Sequence, residues 1–150
     1  MSQDGQDCLL CRELGGELLW QSPWLRVVLA NEPDYPGWLR LIPQTHAAEL
    51  TDLSPGVRQA LWLVLHATEG VLRRVMQPHK VNLASLGNQV PHVHWHMVPR
   101  YRDDRHFPDS VWAAPRREVS AEHGQRAARA SDLGPALQQA LQPWAQGVAA

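Results

Sequence analysis

Three histidines stand at alternate positions in the segment Pro91-His92-Val93-His94-Trp95-His96-Met97-Val98-Pro99. In an extended chain successive side chains point to opposite faces. His92, His94 and His96 then share one face, about 7 Å apart at neighbouring positions, while Val93, Trp95 and Met97 take the other. The apolar set can pack into a core. Nothing in strand packing favours imidazole over Thr or Lys for the other face, so the row points to chemistry. Beside the bland reading of a half-exposed polar strand, two functional readings fit. His-x-His on a strand presents two ligands to zinc. Alternatively, an imidazole with its ordinary pKa of about 6.5 is largely uncharged at neutral pH, and its lone pair can attack phosphorus. A flanking histidine would hydrogen-bond the phosphate or the leaving oxygen. Such covalent catalysis divides one hard displacement into two easier ones through a phosphohistidine. A zinc ion on all three histidines would occupy the nucleophile itself.

A second pair of chemically capable residues is Cys8-Leu-Leu-Cys11, the only cysteines of the chain. This is the spacing of half a zinc site, against the plain alternative of two small buried residues near a terminus. In a reducing compartment such a pair reads as a thiol or metal site rather than a structural disulfide.

The elements that must position these groups follow from the rest of the sequence. A chain of 150 residues with 44% hydrophobic content fits one domain with a real core. The net charge of -1 argues against binding a nucleic acid polymer, which needs a basic face. It leaves room for a small phosphorylated ligand held by a few local donors. No apolar run approaches the roughly 18 residues of a membrane span. Met1 to Asp7 lacks the basic and apolar regions of a signal peptide, so a cytoplasmic location without a membrane partner is expected.

Glu17 to Gln21 and Trp24 to Ala30 read as strands separated by the turn signal Ser22-Pro23. Asn31 to Gly37 is dense in turn formers, and Trp38 to Ile42 reads as a third strand stopped by Pro43. Ser54 is placed to cap a helix that has Pro55 at its first position. Val57, Leu61, Val64, Leu65, Thr68, Val71, Leu72 and Val75 give that helix an apolar stripe, and it should end near Gln77-Pro78. Val81 to Leu86 and His92 to Val98 read as two more strands. Arg100 to Pro115 is polar and irregular. A further helix is expected at about Pro135 to Ala145, while Arg116 to Ser131 is weakly patterned. Strands and one long helix without regular alternation predict an α+β domain with an antiparallel sheet of about five strands and a C-terminal helical extension.

The segment His92-Val-His94-Trp-His96-Met-Val98 resembles the His-φ-His-φ-His-φ-φ motif of the histidine triad (HIT) family, with φ apolar. The likeness extends over about residues 8 to 101. Asn31-Glu-Pro-Asp-Tyr-Pro-Gly37 with Trp38-Leu-Arg-Leu-Ile-Pro43 resembles the loop and strand ahead of the family's Ile-Pro-x-x-His segment. Leu86 to His92 and Arg102 to Pro108 resemble a bacterial branch described as diadenosine polyphosphate hydrolase-like. The resemblance implies a HIT domain over 1–115, with 116–150 as a partly helical extension packed on or near it. It implies that His94 is the nucleophile attacking a nucleotide's α-phosphate, that His96 contacts that phosphate and helps the leaving group, and that His92 and His46 orient or support the nucleophile. Asn31 would hold the ribose. Asn82, Asn88 and Gln89 would hold phosphates, with Gln89 near where many members carry Ser or Thr. Some members bind a structural zinc through Cys-x-x-Cys and two histidines, which here would be Cys8, Cys11, His46 and His92. That would make His92 a ligand, and no cofactor would be required for catalysis.

The expectation is therefore a homodimeric hydrolase acting on nucleoside phosphate derivatives, dinucleoside polyphosphates or phosphoramidates. Transfer to another acceptor such as inorganic phosphate is the rival enzyme. A nucleotide-binding or zinc-stabilised interaction protein with little turnover is the rival from another class. His66, His79, His106 and His123 read as helix-surface or loop residues, with His106 able to approach a ligand.

Overall fold

The computed structural model describes residues 5–148. Alternation of apolar residues builds five strands: β1 (Glu17–Gln21), β2 (Leu25–Leu29), β3 (Leu39–Pro43), β4 (Lys80–Ala84) and β5 (Trp95–Arg100). They form one antiparallel sheet in the order β1-β2-β3-β5-β4. The register is fixed by which residues face the core, because a one-residue slip would turn every side chain over. Leu25, Val27, Leu39, Leu41 and Met97 point to one side, where the main core lies. Arg26, Val28, Arg40, Ile42, His96 and Val98 point to the other.

The core side is covered by a long helix, which is numbered α2 because a short N-terminal turn of helix, α1 (Leu9–Arg12), precedes it. α2 spans Pro55–Met76. Ser54 Oγ accepts the Val57 N–H at 3.4 Å and Pro55 occupies the first turn, as the sequence predicts. Gln77 closes the helix in the left-handed region (φ 51), its N–H bonded to Arg73 O. Leu61, Val64, Leu65, Thr68, Val71 and Leu72 of the expected stripe are buried.

The tail contributes α3 (His123–Ala130) and α4 (Leu133–Ala140). α4 starts two residues before the expected helix and ends earlier, with a single helical turn at Gln142–Trp144 after it. Leu133, Leu137 and Leu141 are fully buried in the same cluster as Leu61 and Leu65. Trp24 Nε1–H donates to Trp144 O at 3.1 Å, and Gln138 donates to Leu19 O at 2.6 Å, so the tail closes the β1 end of the core.

On the opposite face Leu10 of α1 and Cys8, which precedes it, pack against Val28 and Ile42. Arg26, buried, fastens this segment by donating to Leu10 O, Glu13 O, Leu14 O and Gln44 Oε1. Gly16, just before β1, has φ 154 and lies so close to the Leu29 carbonyl that no Cβ could be accommodated.

The strand expected from His92 begins only at Trp95. The β3–β5 ladder runs from Leu39↔Met97 to Leu41↔Trp95, and the next position on β3 able to pair would be Pro43, which has no N–H. The Val93 N–H turns instead to Ala47 O at 2.7 Å. His92 and His94 therefore lie in an irregular approach to β5. The apolar half of the alternation survives: Val93, Trp95 and Met97 still pack on the main core.

Candidate active site and metal-binding cluster

This irregular approach sends the three histidines to different places. His94 and His96 remain neighbours, ring centroids 4.9 Å apart, and both line a cleft on the sheet face away from α2. The cleft has a volume of about 940 Å³, at the upper end for a small-molecule site. Asn31, Asn88 and Gln89 also line it, so the structure brings these candidate ligand-holding residues together with the two histidines. Leu9, Leu10 and Leu14 supply an apolar wall from the N-terminal segment.

His94 Nδ1 lies 2.6 Å from the His92 carbonyl oxygen. A carbonyl only accepts, so Nδ1 carries the hydrogen and, in the neutral ring, Nε2 keeps its lone pair. Ser85 Oγ donates to the His94 carbonyl at 2.8 Å, fixing the backbone at this residue from the β4 side. His96 is held in the opposite sense. Trp38 Nε1–H donates to its Nδ1 at 3.1 Å, so the neutral ring carries its hydrogen on Nε2. Burial, then the neighbouring His94 and the Arg40 guanidinium, push the His96 pKa down to about 4. Arg40, the Cα partner of His96 across β3–β5, donates to Gly15 O at 2.9 Å and pairs with Glu32 at 3.4 Å at the cleft wall.

Two site expectations are corrected. The side chain of His92 is fully buried and does not line the cleft, so it has no direct access to a substrate there. Only its carbonyl reaches the nucleophile candidate. Asn82 is likewise not among the cleft residues. Its Oδ1 accepts from Arg100 at 2.7 Å, because Asn82 sits opposite Val98 in the β4–β5 ladder, two pairs from the Arg100 position and so on the same face of the sheet.

His92 instead joins Cys8, Cys11 and His46, whose four donor atoms all lie within 4.8 Å of one another. His92 Nδ1 is 3.4 Å from Cys8 Sγ and 3.5 Å from Cys11 Sγ, and His46 Nδ1 is 3.4 Å from Cys11 Sγ. For zinc–sulfur and zinc–nitrogen bonds of ordinary length, the S···N edge of a tetrahedron is about 3.6 Å. Three S···N distances are close to that edge and the other donor pairs lie within 4.8 Å, so the residues present suit a tetrahedral zinc. His92 Nε2–H donates to Pro43 O at 2.8 Å, leaving Nδ1 bare toward the sulfurs, the orientation a metal-ligating histidine needs. Burial holds the His92 pKa below its usual value, which keeps that nitrogen free. A Cys₂His₂ group of this kind could hold a metal ion.

Sequence reasoning missed the residues that hold the site from beneath. Arg100 and Asp104 form a buried ion pair with contacts of 2.7 and 3.1 Å. Asp104 also accepts the Tyr35 hydroxyl and the N–H groups of Tyr101, His106 and Phe107. His106, expected on a loop surface, is buried, with Nδ1 2.6 Å from the Tyr35 hydroxyl, and so does not face a ligand. This network ties down the loop that brings the half-exposed Trp112 over the His96 ring, centroids 5.4 Å apart. The spacing of Arg100, Asp104 and Tyr35 carries no local signal that they meet.

A family model described as "HIT domain" matches residues 12–103. Among curated proteins, the chain is 26% identical over 105 residues to the asymmetrical bis(5'-nucleosyl)-tetraphosphatase of Schizosaccharomyces pombe, covering 67% of this chain and 58% of that protein. It is 30% identical over 86 residues to an AP-4-A phosphorylase of Mycobacterium tuberculosis, covering 53% and 44%. The chain thus spans about half the length of these relatives. Among solved structures, a histidine triad protein from Marinobacter aquaeolei matches with TM-score 0.68 and 29% identity, over 84% of this chain and 91% of that one. A zinc-bound histidine triad family protein from Mycobacterium smegmatis shares the fold, with TM-score 0.64 at 19% identity, over 93% and 99%.

Proposed function

The chain belongs to the HIT family, and on that premise we propose that it is a nucleotide hydrolase or nucleotidyl transferase acting at the α-phosphate of a nucleoside phosphate derivative. The observation that carries the reading is the 2.6 Å contact from His94 Nδ1 to the His92 carbonyl, which leaves Nε2 bare on a residue that lines the large cleft. In the first step Nε2 bonds to the α-phosphorus and the bond to the leaving group breaks. In the second, water attacks the phosphorus and gives up a proton to solvent, the P–N bond breaks, and the electron pair returns to His94 Nε2. His96 donates from Nε2–H toward the charge that develops on phosphate oxygens. Asn31 holds the ribose, and Asn88 and Gln89 hold the phosphates. The names of the two curated relatives, a tetraphosphatase and a phosphorylase, support a dinucleoside polyphosphate substrate and leave water and inorganic phosphate as the two candidate acceptors.

Cys8, Cys11, His46 and His92 hold a structural zinc in this reading. The zinc would cross-link the N-terminal segment to the active-site approach and supply no chemistry to the reacting phosphate. We place the protein in the cytoplasm, where thiols stay reduced. Among the described residues, no helix is long and apolar enough to cross a membrane. We also infer a homodimer built on the β4 edge and α2. Among the described residues β4 has no neighbour on its outer side, Leu83 and Leu86 are exposed there, and Trp62 and Leu63 are exposed on α2. The buried Trp95 indole N–H, on a ring tilted against Trp62 with centroids 5.4 Å apart, lacks a partner among the described residues.

Turnover of diadenosine tetraphosphate and adenosine phosphoramidate by wild type and His94→Ala tests the mechanism. The expected result is a loss of at least about 10³-fold in the folded variant, with a nucleotidyl adduct trapped on wild type only. Product analysis with phosphate present separates hydrolysis from phosphorolysis. Full activity in His94→Ala would overturn the mechanism, and nucleotide binding without turnover by wild type would favour a binding protein.

A further inference from the structure

His96 has a partner that limits what it can do. An indole N–H donates and has no lone pair to accept with. With Trp38 Nε1 3.1 Å from His96 Nδ1, a second proton on the ring would set one N–H against another. A hydroxyl, an amide or another histidine in that place could turn and accept, and would tolerate the imidazolium. Trp38 is 4% exposed and is wedged between Tyr35 and Trp112, so it cannot swing aside without disturbing both. The charged and titratable groups facing the His96 ring give the cation no help. Arg40 approaches from β3 and His94 from the preceding segment, while Trp38 and Trp112 cover the ring with neutral edges.

We propose that Trp38 is a positioning residue that holds His96 as a neutral Nε2–H donor, and that it thereby selects substrates whose leaving group departs as an oxyanion, that is phosphate anhydrides such as dinucleoside polyphosphates, over phosphoramidates. The inference rests on the reading of His94 as nucleophile. When the N–P bond forms and an anhydride P–O bond breaks, the electron pair leaves on a phosphate oxygen. A phosphate ester's second ionisation lies near pH 6, so that oxygen departs without a proton at neutral pH. The hydrogen bond from His96 Nε2–H is enough. When a P–N bond breaks, the nitrogen must take a proton as it leaves. A neutral imidazole has none to give at a useful rate, and the contribution of a positioned general acid, typically 10²–10⁴-fold, is missing.

The direct measurement is ¹⁵N NMR of the His96 ring in wild-type protein across about pH 5.5 to 8, the range over which an ordinary histidine titrates. The expected result is a bare Nδ1 and a protonated Nε2 throughout. The functional measurement is the ratio of kcat/KM for diadenosine tetraphosphate to that for adenosine phosphoramidate, in wild type and Trp38→Phe. Removing the indole N–H frees Nδ1 to take a proton. The ratio should then fall by about tenfold, equivalent to one hydrogen bond, and phosphoramidate turnover should gain an acidic limb in its pH profile. A wild-type His96 that carries a proton on Nδ1, or that takes up a second proton near its ordinary pKa, overturns the inference. So does an unchanged ratio in folded Trp38→Phe. If the variant does not fold, the wild-type NMR decides. An active His94→Ala would instead remove the nucleophile while leaving the His96 tautomer result standing, so the two failures are distinguishable.

Discussion

Stripping the proposed zinc from the Cys₂His₂ cluster should lower the thermal midpoint by roughly 8–16 °C. Cys8 and Cys11 belong to a segment whose own core is small, Cys8 and Leu10 against Val28 and Ile42. His46 and His92 belong to the body of the domain. A ligand that binds only the folded state, at about 1,000 times its dissociation constant, stabilises by about 4.1 kcal/mol. At this chain length each kcal/mol shifts the midpoint by about 2–4 °C. Cys11→Ser is the informative variant, because Cys11 is exposed and its replacement leaves no cavity in the core. Calorimetry with and without a chelator, paired with elemental analysis, checks the argument. Wild type should carry about one zinc per chain and lose the stated margin on chelation. Cys11→Ser should hold less zinc and respond little to chelator. A wild-type midpoint indifferent to both chelator and added zinc, in protein shown to be metal-free, would refute the tetrahedral reading of the 3.4–3.5 Å distances.

Two further outcomes follow from the network beneath the cleft. Burial of Asp104 alone would raise its pKa, but the Arg100 hydrogen bonds and the N–H groups of Tyr101 and His106 overcome it and hold the carboxyl at about 2. A folded-state pKa below the unfolded one contributes stability that is full above about pH 4 and is lost as pH falls toward 2, here about 2 kcal/mol. Denaturant titrations of wild type should show that acid limb, and Asp104→Asn should flatten it. Asp104→Asn should also cost about 3–5 kcal/mol at neutral pH by leaving Arg100 buried without a counter-charge, and a loss below about 1 kcal/mol would mean that the pair is not holding the loop. Trp112 is 53% exposed and lines the cleft beside His96. Trp112→Ala should raise KM about tenfold by removing a stacking surface, with little change in thermal midpoint. A large midpoint loss with unchanged KM would make it a structural residue instead.

The sequence made the sheet, α2 and its caps legible because each rests on a local signal. Strand alternation, the Ser54-Pro55 start and the stop at Gln77 are all written within a few residues. The tail was less legible. Leu133, Leu137 and Leu141 recur at helical spacing, but short, weakly patterned helices owe their formation to packing on α2 and β1 rather than to propensity. The histidine row reads as a strand because alternation alone cannot register that Pro43, across the ladder, ends the pairing at Trp95. The partners that define the site lie far apart in sequence. Trp38 and His96 are separated by 58 positions, and Tyr35 and Asp104 by 69, so no window along the chain contains them. His92 appeared as both catalyst and ligand because spacing does not tell which way a side chain turns.

Its turn explains how three like residues can serve three purposes. Each ring has one nitrogen engaged by a group able to play only one role. The Pro43 carbonyl can only accept, so His92 holds its hydrogen on Nε2 and offers Nδ1 to the sulfur-lined cluster. The His92 carbonyl can only accept, so His94 holds its hydrogen on Nδ1 and offers Nε2 to the cleft. The Trp38 indole can only donate, so His96 offers a hydrogen where His94 offers a lone pair. The proposed ligand, nucleophile and donor are thus distinguished by neighbours and not by residue type. His92 occupies a special place, because its ring belongs to the Cys₂His₂ cluster while its backbone oxygen orients the proposed nucleophile. A disturbance that rotates the His92 peptide would release both at once. Zinc bound 2 residues away in sequence from His94 would then support catalysis without touching the substrate, and loss of metal should lower kcat more than it raises KM.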